Sequence, residues 1–291
     1  MLKPTLTQFE PNTEGVWLDL PAEVYHKAPG VSQSRLKEFD EHATPLHYKN
    51  RKPKLPTPDM EFGTICHTAV LEPDNMPRAY YLQPETYPDE KGKLKPWHGG
   101  STWCKNWLAT HADRPVIDKE AELRIAQAAK RVIALPEFGA ALRAGQREVS
   151  CFKKDAATGL LCKCRLDCMA TTEDGVTWIF DMKKVQSGEA DHDNFQKTAL
   201  DRGYHIQAAS YLQLTGASRF VFVPFDDDVP FDAAQWELDE DVLKLGAVEY
   251  RRILNAFAEC VYNDEWPGYA PGIAKIVLPR WAKKRLEDLI A

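Results

Sequence analysis

Hydrophobic and polar positions keep no fixed period through residues 1–30, which are proline-rich. A helical spacing then begins. Leu36 and Phe39 lie three apart and predict a short helix to about Asp40, capped by Ser32 or Ser34. Residues 51–58, Arg-Lys-Pro-Lys-Leu-Pro-Thr-Pro, predict an extended connector. A helix is expected from about Met60 to Leu71, stopped before Pro73. Residues 84–105 are polar and read as a loop, and Asp118 caps a helix to about Leu135 that Pro136 ends.

The middle of the chain switches to strands. Glu148–Lys154, Leu160–Met169 and Val176–Lys183 are separated by the turns Ala157-Thr158-Gly159 and Thr172-Glu173-Asp174-Gly175. The third strand is nearly all apolar until its end, as a central buried strand should be. Helices follow at about 190–201 and 204–214, strands at Arg219–Phe225 and Ala234–Leu238, and a long helix at Asp239–Tyr262. Trp266-Pro267-Gly268-Tyr269 is a turn, and Trp281–Ile290 a last amphipathic helix. This order predicts an α/β (α+β) fold with a central mixed sheet flanked by helices.

Composition narrows the class. With 291 residues, 44% apolar and 27% charged, the chain is globular, not disordered, collagen-like or a coiled coil. No stretch approaches the ~20 apolar residues of a membrane span. The start, Met1-Leu2-Lys3-Pro4-Thr5, has no apolar run after its single Lys, so no export signal is expected. The net charge of −6 argues against a protein that coats nucleic acid with a general basic surface. An enzyme that grips DNA would have to gather its cations locally, which predicts a homo-oligomer with a shared channel. Seven cysteines, an odd number with no export signal, predict reduced thiols in a cytoplasm. Cys162, Cys164 and Cys168 lack the spacing of a zinc ribbon. In a strand they share a face with Leu166, as small core hydrophobes.

Strand alternation sorts the polar residues. Lys163, Arg165 and Asp167 face one way in the second strand, and Asp181 and Lys183 share a face in the third. Whether Asp167 and Asp181 meet depends on sheet geometry. If they do, two carboxylates and an ammonium suit a hard ion such as Mg²⁺ at the edge of an apolar sheet. The plainer alternative is a buried strand reaching the surface. Gln207 and Tyr211, at i and i+4, share a helical face. They could contact a DNA phosphate or a metal-bound water, or form an ordinary core-edge pair. The run containing Lys91, Lys93, Lys95, Trp97, Trp103 and Lys105 offers lysines for phosphates and a Trp to stack on an unpaired base. It also fits a solvated loop with Trp anchors. Asp226-Asp227-Asp228 predicts a solvated turn facing away from DNA, and Glu148 is either an outer acid of the site or a solvated strand end.

Four segments together carry a resemblance: Gly63-Thr64-Ile65-Cys66-His67-Thr68-Ala69-Val70-Leu71-Glu72-Pro73, Cys164-Arg165-Leu166-Asp167, Phe180-Asp181-Met182-Lys183, and Tyr204-His205-Ile206-Gln207-Ala208-Ala209-Ser210-Tyr211. From about residue 60 to 270 the chain resembles the PD-(D/E)XK nuclease superfamily, and within it the RecE type, the nuclease domain of exodeoxyribonuclease VIII and its phage relatives. The resemblance implies a restriction-endonuclease-like core in one domain, 1–291. Residues 1–58 would be an N-terminal extension and connector, and 59–291 the nuclease core with C-terminal helices. It implies a Mg²⁺-dependent exonuclease, with Mn²⁺ able to replace Mg²⁺. Such an enzyme consumes the 5′ strand of duplex ends and leaves 3′ overhangs for recombination by annealing. A ring-shaped homo-oligomer, a single-strand annealing partner and the cytoplasm of a bacterial or phage-infected cell go with it; a membrane does not.

Asp167 and Asp181 match the family's metal carboxylates, Lys183 the motif lysine, and Gln207 and Tyr211 its Gln-x-x-x-Tyr pair. His67 matches the upstream helical His, a further metal ligand, although its small apolar neighbours alone suggest a core histidine. The Met182 carbonyl is another ligand. Lys93, Lys95, Trp97 and Arg165 are the candidate DNA contacts. Asp stands here where Glu is commoner before x-Lys, with similar ligand chemistry. Some RecB-like relatives hold an iron–sulfur cluster on several late cysteines; only Cys260 lies late here, so no cluster is expected. An endonuclease of the same superfamily, or an inactive DNA-binding member, is the alternative. A cysteine hydrolase using His67 or His205 lacks a nucleophile motif.

Overall fold

The structure, a computed structural model, describes residues 4–5, 8–273 and 275–290. Met1, Leu2 and Lys3, on which the expectation of no export signal largely rests, lie outside the described residues. The chain begins β1 (Gly15–Trp17), α1 (Ala22–Lys27), β2 (Val31–Ser32), α2 (Gln33–Glu41), α3 (Pro45–Lys49), α4 (Pro58–Leu71) and α5 (Met76–Ala79). Next come β3 (Tyr81–Leu82), β4 (Thr86–Pro88), β5 (Leu94–Pro96), α6 (Thr102–Thr110), β6 (Val116–Ile117), α7 (Lys119–Ile133) and α8 (Pro136–Ala144). The remainder is β7 (Gln146–Lys154), β8 (Leu161–Thr171), β9 (Thr177–Val185), α9 (His192–Asp201), α10 (Tyr204–Thr215), β10 (Arg219–Asp226), β11 (Trp236–Glu237), α11 (Glu240–Asn263) and α12 (Arg280–Ile290).

One mixed sheet organises these elements, in the order β1-β7-β8-β9-β10-β11, with β2 added on β8. The pairs β7–β8 and β8–β9 are antiparallel, as their short turns require. The pair β9–β10 is parallel, because α9 and α10 carry the chain back across the sheet between them. Ile65, Val70, Ile125, Val132 and Phe138 of α4, α7 and α8 cover one face. Phe195 and Ala208 of α9 and α10 cover the other. The segment before residue 59 adds β1 and β2 to this sheet. Among the described residues no helix is long and apolar enough to cross a membrane.

Several expectations change. Residues 84–105 are not a loop but a β4–β5 hairpin leading into α6, which Ser101 caps by accepting from the Cys104 N–H at 3.1 Å. Its aromatic residues pack on one another: Trp97 lies 5.6 Å from Trp107 and 6.3 Å from Trp103. A helix built on surface tryptophans shows no core stripe in the sequence. Pro136 ends α7 and also opens α8 at a first-turn position, where its missing N–H costs nothing. Phe138, Ala141 and Leu142 then bury the face of a helix the sequence reading missed. The strand expected over Ala234–Leu238 shrinks to Trp236–Glu237.

The shared face of Cys162, Cys164, Leu166 and Cys168 also fails. All three cysteines are buried, but Cys164 and Leu166 pack with α9 and α10 while Cys168 packs with α4, α7 and α8. The two-residue alternation breaks at Asp167, whose backbone pairs with neither neighbouring strand. The β7–β8 register skips from Leu166 to Cys168, and the β8–β9 ladder stops at Cys168–Phe180. Opposite the break, Glu148 has a φ of +53°, rare for a residue with a side chain. Lys163, one of the polar set, is buried. Its ammonium donates to the carbonyls of Tyr25 at 2.8 Å and Ala28 at 2.7 Å, which close the C-terminal end of α1.

The β7–β8 turn is tied to α11 by a bidentate pair, Arg251 to Asp155 at 2.8 and 2.7 Å, and Asp155 also accepts from the Thr158 N–H and hydroxyl. The Arg251 guanidinium holds the Asp155 carboxyl well below the usual carboxylate range. The folded protein therefore binds this proton less readily than the unfolded chain. The pair's stabilisation is complete above about pH 4 and is lost as the pH falls through the depressed pKa. Asp155→Asn is expected to cost about 2 kcal/mol at neutral pH, the range of hydrogen bonds to a charged group, and to flatten this part of the acid limb, read from urea melts between pH 7 and 3.

Candidate active site

The break at Asp167 builds the site. Beyond Cys168–Phe180 the strands β8 and β9 part, and the Asp167 carboxylate takes the place of a backbone partner, accepting the Met182 N–H at 2.7 Å. Asp181 and Lys183 follow on β9, whose other edge stays fully paired to β10. The sheet geometry the sequence left open therefore does bring both carboxylates to one cleft. Asp181 is buried, and its Oδ1 accepts from the Gln207 side-chain amide at 2.6 Å. Its Oδ2 is buried without a hydrogen bond, although the Lys183 ammonium lies against it. Residues in a strand point N–H and C=O to the same neighbour, so the Met182 carbonyl shares the cleft side with its N–H.

Helix α4 brings His67 in from the other layer. Thr57 caps it, accepting from the Met60 N–H at 3.2 Å, and Pro58 starts it. Ile65, Cys66, Val70 and Leu71 bury its inner face and leave His67 half-exposed, with Nδ1 3.5 Å from Asp167 Oδ2. The core-histidine reading thus gives way to a position in the cleft.

Charge states follow from the surroundings. Burial, then the Asp181 charge, pushes the Asp167 carboxyl well above its usual range. Burial pulls Lys183 down, but Asp181 and Asp167 outweigh it, so the ammonium is held above its ordinary value. The Tyr204 ring, 4.9 Å from that ammonium, adds a cation–π contact. Burial pulls His67 down to about 4, so the imidazole is neutral at pH 7.

Two crowded carboxylates that share a single ammonium are what a further cation would relieve. The donors are hard oxygens of Asp167, Asp181 and Met182 with one imidazole, a set that suits Mg²⁺ or Mn²⁺. Among the described residues no three His, Cys, Asp or Glu side chains close into a ready metal cage. His67→Ala is expected to leave circular dichroism melts unchanged and to lower single-turnover cleavage in Mg²⁺ at least roughly tenfold, about 1.4 kcal/mol.

The remaining candidates are spread more widely. Tyr211 lines a cavity of about 630 Å³ together with Lys183, Gln207 and Arg165, and packs edge-on to Phe220. Arg165 is held inside the protein, by the Glu148 carboxylate, the Ser150 hydroxyl at 3.0 Å and the Leu20 carbonyl at 2.7 Å. Lys93 and Lys95 are exposed on the β4–β5 hairpin, where Lys95 pairs with Asp89 at 3.1 Å. Trp97 is half-buried among tryptophans. Among the described residues no hydrogen bond or ion pair joins this hairpin to His67, Asp167, Asp181 or Lys183.

The acidic run is only partly a solvated turn. Asp226 is buried and accepts the N–H groups of Gly188 at 3.0 Å and Ala190 at 3.3 Å. Asp227 and Asp59 both pair with Lys184, which pins the start of α4 to β9. Lys184 was passed over because, next to Lys183, it reads as one more charge at a strand end.

The cleft lies between two parting strands, with an aspartate on each and a lysine two residues after the second. No protein of curated function matches the sequence. Among solved structures, a protein of Eubacterium rectale provisionally named an exonuclease superposes with a TM-score of 0.53 over 94% of this chain and 98% of that one. Its 18% identity speaks for the fold alone. A second, SSO0001, is 15% identical over 53% of this chain and 68% of that one, and its TM-score of 0.28 is too low to bear on the fold. Residues 32–277 match the family described as PDDEXK-like domain of unknown function (DUF3799). Every element of the cleft lies inside that span, and the chain belongs to this PDDEXK-like family, within the PD-(D/E)XK nuclease superfamily.

Proposed function

We propose that the chain is a divalent-metal-dependent exonuclease of duplex DNA that consumes the 5′-terminated strand and leaves a 3′ single strand for annealing. The observation that carries the nuclease reading is the convergence of Asp167, Asp181 and Lys183 where β8 and β9 part. A divalent ion bound there would polarise a phosphoryl oxygen and lower the pKa of a bound water. Asp167 and Asp181 would hold it, with the Met182 carbonyl and His67 beside them. Gln207 fixes the rotamer of Asp181. Lys183, whose ammonium lies against Asp181, would stabilise the negative charge that develops on phosphate and orient or deprotonate the attacking water. Neutral His67 keeps a lone pair for the ion or for its water.

End preference and polarity rest on the resemblance to the RecE type, as do a ring-shaped oligomer and an annealing partner. Lys93 and Lys95, exposed on a hairpin of an otherwise acidic protein, support a duplex contact there. The test is digestion of circular, nicked and linear duplexes with and without Mg²⁺, using strands labelled at either end. Linear DNA should be degraded from its 5′ termini and closed circles spared. Equal attack on closed circles would make it an endonuclease, and binding without cleavage an inactive member.

A further inference from the structure

We propose that α12 is an arm that docks in a groove on a second copy of this chain. The helix is amphipathic, with Trp281, Leu286, Leu289 and Ile290 on one half of its circumference, yet it buries no residue on its own body. Trp281 and Leu289 are 73% and 75% exposed, and Ile276, Val277 and Leu278 just before the helix are exposed as well. A contiguous apolar surface of this kind, rimmed by charge, marks an interaction site. From Lys275 to Ile290 the arm carries five Lys/Arg against two Asp/Glu, on a chain whose net charge is −6. The complement it needs is an apolar groove with an acidic mouth.

The body presents one. A cavity of about 410 Å³ lies between α9 and the β11–α11 junction, with Leu200, Trp236 and Val242 among its apolar lining residues and Gln196, Glu237 and Asp239 among its polar ones. Asp239, which lines it, leads into Glu240 and Asp241 at the start of α11, and the last two make no ion pair among the described residues. An apolar helix face in such a groove, with lysines over the acids, is a common recognition mode. Arm and groove are different surfaces, so the contact is head-to-tail, and repeating it closes a ring or runs on as a filament. This deepens the oligomeric reading above and is independent of the nuclease chemistry.

The experiment is light scattering on the full chain at micromolar concentration. One variant spoils the arm, Trp281→Glu with Leu289→Glu; the other spoils the groove, Leu200→Glu. All three positions are exposed, so circular dichroism should show wild-type folding. The wild type should be an oligomer and each variant alone a monomer. A one-to-one mixture keeps one intact arm and one intact groove and should give a dimer that grows no further. Variants as large as the wild type would place the interface elsewhere and overturn the arm while sparing the oligomer. A monomeric wild type would overturn both. A monomer that floats with anionic phospholipid vesicles would assign α12 to a lipid surface.

Discussion

Asp181→Asn and Asp167→Asn are each expected to abolish Mg²⁺-supported cleavage while the protein stays folded. Asparagine keeps the shape and an acceptor oxygen, so the Met182 N–H and the Gln207 amide retain their partners. It removes the charge that would hold the ion, and a loss of about a thousandfold or more in single-turnover rate is expected. Stability moves the other way at Asp167. Its carboxyl is held above its unfolded-state pKa by burial and by Asp181, so the folded state binds this proton more tightly than the unfolded chain. Stability therefore falls as the pH rises from about 4 through that raised value. At pH 7 in EDTA, Asp167→Asn should be more stable than the wild type, read as a higher Tm. Saturating Mg²⁺ should reverse the ranking, because only the wild type gains from binding. Full turnover in EDTA, or an unchanged melt at both aspartates, would remove the shared-cation reading.

Gly246→Ala should be the most destabilising single methyl in the protein's helical layer. Gly246 lies inside α11 where that helix crosses α10. A Cβ built there would stand 2.6 Å from the carbonyl carbon of His205 and closer still to its oxygen. Both are backbone, so one helix must move. Alanine would gain up to about 1 kcal/mol in helix propensity, but overpacking against rigid backbone costs roughly 3 kcal/mol, so the clash wins. Gly99→Ala, where the new methyl meets nothing within 4 Å, is the control. Activity should fall with stability, because His205 and Gln207 share α10 and a displaced Gln207 releases Asp181. A Gly246→Ala protein that melts like the wild type would mean that α10 and α11 pack more loosely.

His205 illustrates what a neighbour decides. In sequence it was a candidate partner for a catalytic cysteine. In the fold its ring is buried and bonded to Glu249 at 2.8 Å, and it serves the α10–α11 contact.

The local elements and the types of residue at the site can be read along the chain. The turns Ala157-Thr158-Gly159 and Thr172-Glu173-Asp174-Gly175 marked off β7, β8 and the nearly all-apolar β9, the spacing of Leu36 and Phe39 marked α2, and Asp118 marked the start of α7 where the structure has its cap. Those signals are legible because each strand or helix writes its burial period into adjacent residues. Asp167, Asp181, Lys183, Gln207 and His67 were likewise nameable from motifs. Their meeting depends on the folded sheet. The convergence depends on β8 and β9 parting after Cys168–Phe180, on Asp167 taking up the Met182 N–H, and on Lys184 anchoring α4 from 125 positions away. The same break sent Cys168 into a different layer from Leu166. Lys163 and Arg165 share a strand face with Asp167 in the sequence reading, and in the fold α1 and Glu148 enclose them. A strand's period says which residues share a face. What covers that face, and where the ladder stops, is settled by partners that lie far along the chain.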